Sequence, residues 1–231
     1  MNFAFDLEHL PFIFLAIIVA FTFHEYAHAA SAYRFGDPTA HSLGRVTLNP
    51  ASHISLLGLI FIMLLGFGWA RPVPVDRSHF KRPRLMGIVV SALGPLSNLV
   101  IALIAALLLA VIFASGVMDQ ASIGVHDAVA LTFFYLVHIN LLLFLFNLLP
   151  LPPLDGYRIM EDVAPESLRP TMRRYEPWGV YIFLLIVFIT PLFNLTIGPL
   201  LKEIQVWRDT LIYTTTGWFG VSIDWRAIFE L

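Results

Sequence analysis

The chain has 231 residues, of which 58% are apolar and 13% charged, with a formal net charge of -2. A soluble domain carries about a quarter charged residues, so a chain this short and this poor in charge must turn much of its surface to lipid. The slight negative balance excludes a polycationic nucleic-acid surface, and the absence of cysteine excludes disulfides and cysteinyl metal sites.

Residues 1–8 hold Asp6 and Glu8 and neither Lys nor Arg. The apolar run that follows, 10–33, carries His24, Glu25 and His28. It reads as a retained transmembrane helix rather than a secretory signal. In the segment GDPTAHSLGRVTLNP, residues 36–50, Gly-Asp-Pro opens a turn. Weak alternation over 45–48 admits a small β element near residues 39–50. Run 54–67 contains Gly58 and Gly66 and reaches only roughly 21 Å as helix, short of a hydrocarbon core of about 30 Å. Runs 85–114, 128–149 and 178–197 are each long enough to span.

The loops give an orientation. Segment 69–84 holds Arg71, Arg77, Lys81, Arg82 and Arg84 against Asp76, whereas 115–127 holds Asp119 and Asp127 without Lys or Arg. Basic loops stay in the cytoplasm. With 34–50 and 69–84 both on that side, run 54–67 cannot cross and is expected to re-enter or lie along the membrane; the competing reading is a short true span. After residue 198 the chain is mixed, and LKEIQVWRDTLIY suits an interfacial helix. The expectation is an all-α polytopic membrane protein. It has about four transmembrane helices, one short re-entrant segment and the small β element. Residues 1–200 form the membrane domain; 201–231 form an interfacial helix and tail.

The chemistry lies in FTFHEYAHAA. His24 and His28 are four residues apart on one helical face, so both imidazoles reach one metal ion. Glu25 is placed to hold a water and pass its proton to a leaving amine. Three ionisable residues at membrane depth are costly unless paired or metal-bound. The bland reading is a structural polar cluster between helices. A hydrolytic zinc site takes three protein ligands and one open position. The break NLLPLPPLDGYR, residues 147–158, stops its helix with Pro150, Pro152 and Pro153 and then offers Asp155. Spacing alone leaves Asp155 as either the third ligand or the N-cap of a helix starting near Tyr157. His138, mid-span, is a further candidate ligand.

HEYAH, LNPxxH, GWARPVPV, SALGPLSN and FNLLPLPPLDGYR, in this order, resemble the site-2 proteases, the intramembrane zinc metalloproteases of peptidase family M50. The resemblance covers roughly residues 15–160 and is to the compact form without a PDZ domain. It implies one zinc ion per chain held by His24, His28 and Asp155, with Glu25 as catalytic glutamate. It also implies transmembrane protein substrates and a multi-pass protein of the cell membrane. An Asn before the L-D-G motif belongs near the catalytic centre, which makes Asn140 and Asn147 the candidates to donate to an oxyanion or to a substrate strand. The family's A-G-P is here Ala92-Leu93-Gly94-Pro95, with Gly-Pro kept. The competing functions are a metal-binding membrane transporter and a non-catalytic scaffold of the same fold. Neither needs a glutamate directly beside the first histidine.

Overall fold

The computed structural model describes residues 7–65 and 68–229. In chain order the helices are α1 (Leu10–Arg34), α2 (Thr39–Ser42), α3 (Leu56–Leu65), α4 (Pro83–Ala114), α5 (Ile123–Asn147), α6 (Asp155–Val163), α7 (Arg169–Phe188), α8 (Thr190–Trp218) and α9 (Trp225–Phe229). α1, α4 and α5 are long and apolar enough to cross a membrane, and α7 with α8 makes a fourth candidate span bent by 92°. The protein is a multi-pass, all-α membrane protein.

Small residues set how closely the three straight spans pack. Ala16 and Ala20 of α1 and Ala102, Ala105 and Ala106 of α4 are buried among helices. In lipid there is little hydrophobic drive between helices, so close backbone approach through such residues carries the association. α8 lays Ile204 and Ile212 into the same core, against Leu109, Phe134, Val137 and Leu141. The expected division at residue 200 therefore falls inside α8, which runs unbroken through it.

The expected span over 178–197 is not one helix. Ile189 is extended, at φ -93° and ψ 104°, between α7 and α8. Pro191 lies in the first turn of α8. It has no N–H to continue the hydrogen-bond ladder of α7, and it suits the first turn of a new helix, where that N–H would go unpaired.

The β element expected near residues 39–50 is corrected: the described residues contain no strand. Asp37 accepts the Thr39 N–H at 2.9 Å and starts the helical turn α2. Asn49 likewise accepts from Ala51 N–H and opens a second short turn at Pro50–Ser52. Local side-chain acceptors outcompete strand pairing here, as they do for Asp and Asn generally. Run 54–67 contains α3, ten residues long and so about 15 Å, too short to span. Beyond it, Arg71 N–H donates to His53 O at 2.7 Å, which sets residue 71 beside the residue that precedes the run.

Candidate metal centre

The site is built where α1, α4 and α6 meet. His24 and His28 lie one turn apart on α1 with their rings edge to face, and turn their Nε2 atoms to a common point, 3.0 Å from each other. Asp155 Oδ2 lies 3.2 Å from each of them. These three are the group of potential metal ligands found among the described residues. Asp155 is the first residue of α6, and the N-cap is Leu154, with no side-chain cap. The carboxylate makes no cap bond to its own helix end and faces the two histidines of α1.

The backs of both imidazoles are held. His28 Nδ1 donates to Val90 O at 2.8 Å, and His24 Nδ1 lies 2.8 Å from Asn98 Oδ1. Asn98 Nδ2 donates to Ala20 O at 3.0 Å and to Asn140 Oδ1 at 2.9 Å, so its oxygen end must face His24. Both histidines therefore carry their proton on Nδ1 and present a bare Nε2 lone pair. Two imidazole lone pairs and a carboxylate oxygen in mutual contact repel one another unless a cation lies among them. Bonds of 2.0–2.1 Å in a tetrahedral zinc site put ligand atoms about 3.3 Å apart, close to the spacing seen here.

Glu25 points to the same space. Its Oε2 accepts from Val73 N–H at 2.8 Å. A cavity of about 500 Å³ is lined by His24, Glu25, His28, Val73, Asn147 and Asp155 among others. The part of its wall formed by residues 72–75 is fixed from behind. Arg45 donates to Pro72 O at 2.5 Å, to Arg71 O at 2.6 Å and to Ser52 O at 3.0 Å, and Asp37 Oδ2 accepts from Asp76 N–H at 2.7 Å.

The sequence pattern of peptidase family M50 matches residues 12–190. The chain belongs to this family. YwhC of Bacillus subtilis is 47% identical over 208 residues, covering 90% of this chain and 92% of YwhC. Rip2 of Mycolicibacterium smegmatis is 32% identical over 211 residues, covering 89% of this chain and 73% of Rip2. The names of both relatives class them with zinc metalloproteases. No solved structure matches the chain significantly. With its family, its spans and its three converging donors, the chain is a zinc metalloendopeptidase of the site-2 protease type.

In this M50 peptidase the two candidate asparagines part company. Asn147 lines the cavity and donates from Nδ2 to Leu143 O at 3.0 Å. Asn140 is fully buried, is absent from the cavity lining, and faces Asn98 behind His24. His138 stands apart from the metal donors, stacked near Phe134 on α5. Four contributors escaped the sequence reading: Asn98, Gly94, Arg45 and Val73. Asn98 and Gly94 sit in the recognised SALGPLSN block, and an Asn or Gly inside an apolar helix is itself a signal. Gly94 has a steric reason, since a Cβ there would overlap both imidazoles. Arg45 and Val73 gave no signal, because their roles depend on where a loop returns.

Proposed function

We propose that the protein hydrolyses peptide bonds of transmembrane protein substrates within the bilayer, with His24, His28 and Asp155 holding one zinc ion and Glu25 as general base and acid. The observation that carries this reading is the triangle of donors at 3.0–3.2 Å, with Glu25 opening onto the same cavity. Bound there, zinc supplies a Lewis acid that acidifies water and polarises a carbonyl.

Glu25 takes the proton of the attacking water and returns it to the leaving amine. The bond from Val73 N–H keeps one carboxylate oxygen engaged, so the other is free to face the water. Asn147 is the amide on the cavity wall, suited to donate to the developing oxyanion or to a substrate strand. Asn140 does not share that role in this reading, being sealed behind His24.

Carbonyls in a helix are occupied by their own hydrogen bonds, so the substrate must unwind before attack. Within run 54–67, residues Leu56–Leu65 are helical and so offer the unwound strand no edge. Residues 72–75 on the cavity wall, which lie outside any helix, are the better edge for strand addition. In the same reading α3 enters the membrane and returns on the side it left, which the Arg71–His53 bond favours.

The test pairs two variants of the detergent-solubilised protein. Glu25→Gln should keep zinc and lose cleavage of a transmembrane substrate; Asp155→Ala should lose both. A transporter or scaffold predicts no hydrolysis by the wild type. Full zinc occupancy of Asp155→Ala at low free zinc would move the third ligand elsewhere.

A further inference from the structure

The buried amides behind His24 form a continuous chain of hydrogen bonds. His24 Nδ1–H donates to Asn98 Oδ1, and Asn98 Nδ2 donates both its hydrogens, one to Ala20 O on α1 and one to Asn140 Oδ1 on α5. Asn140 Nδ2 in turn donates to Leu136 O, one turn back on its own helix, at 2.8 Å. Both asparagines are wholly inaccessible to solvent. Neither lines the cavity, so neither touches substrate.

We infer that Asn98 and Asn140 are positioning residues: a neutral amide relay that fixes the ring orientation and Nδ1–H tautomer of His24, and so presets its Nε2 for the metal. The inference rests on His24 being a zinc ligand.

Three features point to this role rather than to general helix gluing. First, the direction of every bond is forced. Ala20 O and Leu136 O only accept, so both NH2 ends are assigned and Asn98 Oδ1 is left as an acceptor for His24. A free imidazole would divide between two tautomers; this one cannot. Second, the relay ties the ligand to three separate spans, α1, α4 and α5, so the His24 ring is set against the whole helix core. His28 has only the simpler anchor of Val90 O on α4. Third, the relay is uncharged. Metal-bound histidines commonly lean on a carboxylate, a carbonyl or water. Here a bound zinc is balanced by Asp155 and Glu25, a net charge of zero. A third carboxylate at position 98 would leave uncompensated charge deep between membrane helices, where it is costly. An amide supplies the same acceptor without that charge.

The relay also explains why Asn140 attracts attention from sequence yet stays out of the cavity. It is the far anchor that aims Asn98. Removing it should loosen His24 only through Asn98, so its effect must vanish when Asn98 is already gone.

The experiment uses the full-length protein in detergent with zinc alone as the probe. Asn98→Ala should weaken zinc binding by about 10–100-fold, the usual cost of losing an orienting partner. Asn140→Ala should weaken it less, and adding it to Asn98→Ala should cost nothing further. Wild-type protein labelled with 15N-histidine should show a downfield, solvent-protected Nδ1–H proton from His24, lost in Asn98→Ala. That resonance is read on wild type, so the proposal stays testable even where a variant fails to fold. Its absence from zinc-loaded wild type, unchanged zinc affinity in folded Asn98→Ala, or additive effects of the two substitutions would each overturn the relay. His24→Ala is the separating control: full zinc retention there would overturn the ligand assignment itself, not the relay alone.

Discussion

Gly94→Ala is the sharpest perturbation of the metal centre that leaves every donor in place. A methyl at Gly94 would lie 2.9 Å from His24 Cε1 and closer still to the His28 ring. Carbon–carbon contacts become favourable only near about 3.5 Å, so His24 must retreat by about 0.6 Å and His28 by more. Metal–ligand distances tolerate about 0.2 Å. The histidines cannot move that far on α1 without also stretching their bonds to Asn98 and Val90. Loss of an orienting partner alone costs about 10–100-fold in metal affinity, so displacing both rings should weaken zinc binding at least tenfold. Zinc content at buffered free zinc, read beside the thermal unfolding midpoint, measures it. Gly124→Ala is the matched control, since a Cβ there meets nothing within 4 Å. It should leave zinc unchanged and cost no stability, as Ala in a helix gains about 0.5–1 kcal/mol over Gly. Wild-type zinc affinity in Gly94→Ala would refute the close packing of α4 on the two imidazoles.

Arg45→Met should keep stoichiometric zinc but lower the rate of substrate cleavage, because releasing Arg71 O and Pro72 O lets the Val73 N–H drift from Glu25; equal loss of zinc and activity would contradict this division of labour. A single cysteine at position 79 should resist an impermeant thiol reagent in intact cells and one at position 119 should react, since the loop around 79 is basic and that around 119 acidic; the reverse pattern inverts the topology. Ile212→Ala, in a core position on α8, should destabilise the protein by about 2 kcal/mol, mostly from the cavity it leaves, and reversible unfolding in detergent reads it. Truncation at Val206 removes that same packing, and should lower the unfolding midpoint although no zinc ligand lies beyond it; an unchanged midpoint would mean α8 contributes little to the core.

The sequence by itself determined what is local or periodic. Length and hydropathy set the spans α1, α4 and α5, because about 20 apolar residues are what a bilayer requires. The spacing of four residues put His24 and His28 on one face, because helical geometry depends on nothing beyond the helix. Three prolines marked the break before Asp155. What the sequence left open was every fact that needs a second element at a known place. Whether the Asp155 carboxylate turns to its own helix end or to the histidines was undecided until α6 was set against α1, because both uses need the same carboxylate at the same helix end. Asn140 and Asn147, seven residues apart on one helix, looked alike; only the packing of α4 on α5 seals one behind His24 and leaves the other on the cavity. The weak alternation at 45–48 suggested a strand, but pairing needs a neighbour, and tertiary structure instead turned Arg45 onto the carbonyls of a loop returning 26 residues later. Asn98, which aims the first histidine, is 74 residues from it. A side chain that acts through a partner so far along the chain is visible only when the helices have met.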